Sequence, residues 1–100
     1  MIFFTQLIYI RNGQEDVFSQ FEAIAIPLIS KHNGRLLLRV RPDDASYIAC
    51  NMEKPYEIHF GSFNSEDDLD NFLKDEERQK FIHLKRRYIK SSLIIYGKQL

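Results

Sequence analysis

The segment that most constrains this chain is its first. Ile2–Ile10 is rich in β-branched and aromatic residues and reads as a strand. Side chains alternate between the faces of a strand. Ile2, Phe4, Ile8 and Ile10 take one face, with Gln6 interrupting, while Phe3, Leu7 and Tyr9 take the other with Thr5. Both faces are mostly apolar, so the strand has to be covered on both sides. In a chain of 100 residues that demand is severe, because small domains bury a smaller fraction of their surface than large ones.

The next segment supplies one cover. Asn12, with Glu15 three residues on, resembles a capping box. Val17, Phe18, Phe21, Ile24, Ala25, Leu28 and Ile29 then recur at helical spacing until about His32. Pro27 removes a backbone donor and is expected to kink this helix, and Asn33-Gly34 supplies its left-handed stop. Residues 35–41 read as a second strand, with Leu36, Leu38 and Val40 on one face and Arg35, Leu37, Arg39 and Arg41 on the other. Pro42-Asp43-Asp44 breaks it, and Tyr47-Ile48-Ala49 is either a short extra strand or a hairpin arm. Residues 56–60 form the third main strand, with Glu57 and His59 sharing a face opposite Tyr56, Ile58 and Phe60. Ser65 caps a second helix striped by Leu69, Phe72 and Leu73, and Asp75 caps a further helical segment carrying Phe81, Leu84 and Tyr88. Acidic residues gather early in this region (Glu66, Asp67, Asp68, Asp70) and basic ones late (Lys85, Arg86, Arg87), which complements the helix dipole. Residues 92–97 close the chain as a last strand.

Strand, helix, strand, strand, helix, strand, with right-handed crossovers, predicts an α+β, ferredoxin-like βαββαβ domain: a four-stranded antiparallel sheet with its helices on one face. No repeat, low-complexity tract or linker divides the sequence, so one domain is expected over residues 1–100. The sheet face away from the helices is expected to carry Leu7, Leu37 and Ile94, with Phe3 or Ile8 depending on register. An exposed apolar patch of that extent implies a partner. Two copies packed sheet to sheet, as an isologous homodimer and dimeric α/β barrel, satisfy it.

Composition narrows the function classes. Fourteen basic and fourteen acidic residues give a formal net charge of zero, without the basic excess of a nucleic-acid or membrane-surface binder. The one cysteine, Cys50, has no internal disulfide partner, which fits a reducing compartment. The N-terminal apolar run has no basic residue before it and no small-residue cleavage site after it, and it is far too short to span a bilayer. A cytoplasmic protein is expected. His32, His59 and His83 lack metal-ligand spacing, so neither a metal nor a cofactor is expected.

Polar residues expected on the partner-facing side of the sheet are the candidate site. His59 is the candidate catalytic residue, as a general acid/base whose intrinsic pKa lies near neutrality. Tyr9, Arg39, Glu57 and Tyr96, with Thr5 nearby, are the candidate ligand-binding residues. Arg39 suits a carboxylate or enolate oxygen, and Tyr9 a carbonyl. Alternatively Arg39, Glu57 and His59 satisfy one another across strands and to the partner. The basic stretch at residues 85–90 reads as a solvated helix end.

Residues 21–29, with Ala25-Ile26-Pro27-Leu28 followed by Asn33-Gly34-Arg35, resemble the "A-x-P-L then G-G-R" signature of the domain of unknown function numbered 1330. Residues 56–60 resemble that family's apolar strand ending in Glu-Phe, residues 72–79 its "W-y-x-S-x-x-Y-Q" helix, and Tyr96-Gly97 its terminal strand glycine. His59 stands where the family has an acidic residue, and Phe72 lies nearest the tryptophan position in a chain that has no Trp. The resemblance implies a dimeric α/β barrel similar in fold to the cofactor-free antibiotic-biosynthesis monooxygenases, without a settled activity.

The sequence therefore supports a dimer that binds a small organic ligand in a cleft between sheet and helices or partner. The alternative is a cofactor-independent enzyme, monooxygenase- or isomerase-like, acting on a small aromatic or acidic substrate through His59. A remoter one is an RNA-binding module: residues 2–7 resemble the first-strand motif of RNA-recognition domains, but Tyr56-Glu57 stands where the basic-Gly-aromatic motif would begin the third strand.

Overall fold

The computed structural model describes residues 1–99. Along the chain run β1 (Ile2–Ile10), α1 (Glu15–Lys31), β2 (Gly34–Val40), β3 (Glu57–Phe63), α2 (Glu66–Leu73), α3 (Glu76–Lys80), α4 (Ile82–Tyr88) and β4 (Ile89–Lys98). The four strands form one antiparallel sheet in the order β2-β3-β1-β4, with the two-sided apolar strand β1 at its interior. The helices pack on one face, which is the ferredoxin-like α+β arrangement.

Two apolar clusters join sheet and helices. Ile8 packs with Val17, Phe18, Phe21 and Ala25 of α1 and with Tyr88 at the end of α4. Ile2 and Phe4 pack with Phe63 of β3 and Ile29 of α1, with Leu69 and Phe72 of α2 against them. Gly34 and Gly61 keep this second cluster tight. A Cβ on Gly34 would stand 2.6 Å from the Phe63 ring, and one on Gly61 2.4 Å from the Phe4 ring and 2.6 Å from the Arg35 carbonyl oxygen.

Local structure departs from the expected pattern at several points. Helix α1 begins at Glu15 behind Gln14, which makes no side-chain cap, so the Asn12 capping box does not form. Asn33 itself, at φ 59°, takes the left-handed turn, and Gly34 already opens β2. Tyr47-Ile48-Ala49 forms no strand; a single 3-10 turn at Asp44–Ser46 precedes it, capped by the Asp43 carboxylate. Ser65 and Asp75 do cap α2 and α3 as expected, through the backbone N–H of Asp68 and those of Glu77 and Arg78.

The departure with most consequence is a β-bulge in β2. Leu36 pairs with Gly61 and Leu38 with the adjacent Phe60, so Leu37 is an extra residue. A bulge reverses the side-chain alternation beyond it. Arg39 consequently lies opposite His59 and joins the face that carries the helices. Pairings Ile2 with Phe63, Gln6 with His59 and Ile8 with Glu57 put Glu57 and His59 on that face too. Pairing of Phe4 with Tyr96 and Gln6 with Ile94 adds Tyr96 and Ile94. The expectation that Arg39, Glu57, His59, Tyr96 and Ile94 face away from the helices is thus corrected by register. The open face instead carries Phe3, Leu7, Ile58, Phe60, Leu38, Val40, Leu93 and Ile95, together with Thr5 and Tyr9.

Candidate functional site: a cavity beneath helix α1

Glu57 is the centre of a buried polar cluster. Its side chain is 1% exposed and accepts from Arg39 Nε at 2.8 Å and Arg41 Nε at 2.7 Å. Its Oε2 also bonds His59 Nε2. Burial pushes this carboxyl upward, but the hydrogen bonds from His59, Arg39 and Arg41 outweigh it and hold the pKa at about 2. An ionised carboxylate can only accept, so Nε2 of His59 carries the proton. Nδ1 is then the ring nitrogen that Glu57 does not engage. Arg39 and Arg41 thus fix Glu57, and Glu57 fixes the tautomer of His59.

His59 is buried and lines a cavity of about 220 Å³ between the sheet and the helices. An apolar wall is built by Phe4, Phe21, Ile29, Phe63, Phe72 and Ile94. Polar groups enter from several elements: Gln6 from β1, Glu22 from α1, Arg78 from α3, Lys85 and Tyr88 from α4, Ser92 and Tyr96 from β4. Glu22 is buried, and burial pushes its carboxyl above the usual range, only partly offset by nearby His59. The Tyr88 hydroxyl is likewise driven well up by burial, with Glu22 adding to the effect. A buried acid with a raised pKa beside an oriented imidazole is an arrangement suited to proton transfer.

The candidate residues therefore separate. Arg39, Glu57, His59 and Tyr96 gather on the helix face, but Arg39 is engaged by Glu57 rather than free for a ligand. Tyr9 lies on the opposite face, buried under residues 41–56, where its hydroxyl donates to the Glu53 carbonyl at 2.8 Å. Thr5 is on that face as well. Glu22, Arg78 and Lys85 join the site from outside the sequence-derived candidates. Glu22 carries a detectable signal, since it falls four residues after Phe18 and three before Ala25, on the apolar stripe itself. Gln6, breaking the apolar face of β1, marks the cavity floor in the same way.

Asp75 lies outside the cavity lining and joins two helices. Its carboxylate accepts from Lys31 at 2.8 Å and lies 2.7 Å from His32 Nε2, tying α3 to the end of α1. Hydrogen bonds from Lys31 and then His32 hold it well below the usual carboxylate range. No group of three or more His, Cys, Asp or Glu side chains among the described residues is arranged to hold a metal ion. No helix among them is long and apolar enough to cross a membrane.

No family model matches the chain, and no curated protein matches it. Solved structures do. A protein of unknown function from Rhodopseudomonas palustris, RPA0582, superimposes with a TM-score of 0.85 at 12% identity, over 99% of this chain and 82% of that one. A Nitrosomonas europaea protein provisionally assigned as an antibiotic biosynthesis monooxygenase gives 0.74 at 7% identity, over 100% and 99% of the two chains. A dimeric protein of unknown function from Bacteroides fragilis, described as having a ferredoxin-like fold, gives 0.71 at 12% identity, over 98% and 95%. At these identities the likeness establishes the ferredoxin-like fold.

Proposed function

We propose that this chain is a one-domain, homodimeric α/β-barrel protein of a reducing, cytoplasmic compartment that binds a small organic molecule between its sheet and helices. The resemblance to the domain of unknown function 1330 is part of this reading. The observation that carries it is the cavity: apolar on one side, it gathers an oriented imidazole, a buried acid and two basic side chains on the other. Binding pockets are typically concave, mostly apolar and supplied with a few convergent polar groups. Homodimerisation accounts for the open face, where Leu38, Leu93 and Ile95 are 48%, 46% and 55% exposed. The test is NMR titration with a panel of small aromatic and aliphatic compounds. Ligands should shift Gln6, Glu22 and His59, and Ile26→Trp, which fills the cavity from α1, should abolish the shifts without changing the fold. Shifts confined to other surfaces would refute the assignment.

Catalysis is the second reading, and the His59–Glu57 pair beside Glu22 is the observation favouring it. On this reading the His59 imidazole takes a proton from one atom of the substrate and returns it to another, beside Glu22 and without a cofactor. His59→Ala should then abolish turnover of any substrate found, while the dimer survives. Full activity in that variant would remove His59 from the mechanism.

A further inference from the structure

Arg78 and Lys85 are unusual among the charged residues of this chain. Both line the cavity, and neither lies within ion-pair distance of a carboxylate among the described residues. Arg78 Nε is buried without a hydrogen-bond partner, and its Nη1 reaches only the Leu73 carbonyl, at 3.4 Å. The guanidinium is nevertheless well located. It lies 5.2 Å from the ring centroid of Phe72 and 5.9 Å from that of Phe21, and the Arg78 backbone N–H donates to Asp75 at 3.2 Å.

One carboxyl, Glu22, shares the cavity lining with these two cations, and among the described residues it is within ion-pair distance of neither. Burial, and then the charge of Arg78, push Lys85 below the usual lysine range. Glu57 is taken up by Arg39, Arg41 and His59. Burial raises the pKa of Glu22, with His59, Arg39 and Lys85 lowering it in part. Two half-buried cations lining one cavity repel each other, and an anion between them relieves the repulsion. A planar guanidinium fits a carboxylate through two parallel hydrogen bonds, and the ammonium adds a point charge. The phenylalanine-rich wall disfavours an anion without an apolar body, and the size agrees: a cavity of about 150 Å³ accommodates benzene, and this one is about 220 Å³.

Resting on the ligand-cavity reading, we propose that the site selects a small organic acid, its carboxylate joining Arg78 and Lys85 and its apolar body against Phe21, Phe63 and Phe72. Calorimetric titration of the whole protein with benzoate, with its neutral isostere benzamide and with inorganic phosphate tests this. Benzoate should bind at least tenfold tighter than either of the others. Arg78→Met and Lys85→Met should each remove most of that preference while leaving benzamide affinity within about twofold, and Arg78→Lys should restore part of it. Benzamide binding as tightly as benzoate would overturn the anion seat and leave the ligand cavity standing. Phosphate matching benzoate would overturn the organic-acid class in favour of a free-anion site. No binding of either ring compound would overturn the cavity reading together with the seat.

Discussion

The two faces of this sheet differ in chemistry: the helix face combines an apolar core with a buried polar cluster, and the other face is mostly apolar. The face covered by the protein's own helices holds Glu57, His59 and Arg39 as a polar cluster, with His59 and Gln6 reaching the cavity. The face away from the helices holds Phe3 stacked on Phe60 at 5.8 Å, with Leu7, Ile58, Leu93 and Ile95 around them. Leu38, Leu93 and Ile95 leave an exposed apolar patch there, and a patch of this kind implies a partner. On the proposed reading each face has its own occupant: a small organic ligand on the helix side and a second copy on the other. Overall dimensions agree. A radius of gyration of 14.0 Å exceeds the roughly 13 Å of a compact 100-residue domain, and extents of 36 × 36 × 16 Å describe a flat slab with one open side.

Charging the open face should break that contrast most completely. Leu93→Glu combined with Ile95→Glu puts two carboxylates into the proposed dimer interface. Self-association should weaken at least 100-fold, or about 3 kcal/mol, with the helix-side cavity unaffected. Sedimentation measures the association and NMR shifts of Gln6 and His59 report the cavity.

An effect of similar size is expected on the other face. Glu57→Gln leaves the Arg39, Arg41 and His59 partners without their common charge. Arg39 and Arg41 can turn partly to solvent, being 37% and 50% exposed in their side chains, which places the cost near the lower end of the range for breaking a buried pair, about 3 kcal/mol by urea unfolding. The sign of the pH dependence is set by the same carboxylate. Glu57 ionises at about 2 in the folded state against an ordinary value of 4.5. Its contribution, about 3 kcal/mol, is complete above pH 4.5 and lost as pH falls toward 2. Wild-type stability should therefore drop through that window more steeply than that of Glu57→Gln.

Glu22 should behave in the opposite sense, and more weakly. Its raised pKa means that the folded state binds its proton more tightly, so stability declines as pH rises from 4.5 through the folded value. Glu22→Gln should gain up to about 1 kcal/mol at pH 8 and almost nothing at pH 4. Thermal unfolding at the two pH values measures it. Equal effects at both would show that Glu22 is not held toward its neutral form.

The order of elements is legible in the sequence because the apolar periods are long and unambiguous: β1 with both faces apolar, α1 with a stripe from Val17 to Ile29, and Ser65 and Asp75 as helix caps. The site is legible only in part. His59 and Glu57 stand out by residue type and alternation puts them on one face, but the expectation of polar residues away from the helices assigns them, with Arg39, to the wrong one. The run Leu36-Leu37-Leu38 explains Arg39, because three identical side chains give no sign of which is the extra residue. Tyr96 and Ile94 are misplaced through the start of β4, which follows α4 directly at Ile89 with no intervening turn residue to fix its register. Arg78 has no signal in the sequence, since only tertiary packing against Phe72 and Phe21 buries it.

Light scattering on the wild-type protein at micromolar concentration tests the division between faces most directly. The account predicts a mass near twice the 11.9 kDa of the chain. A single species at 11.9 kDa would contradict it, leaving the open apolar face without its second copy.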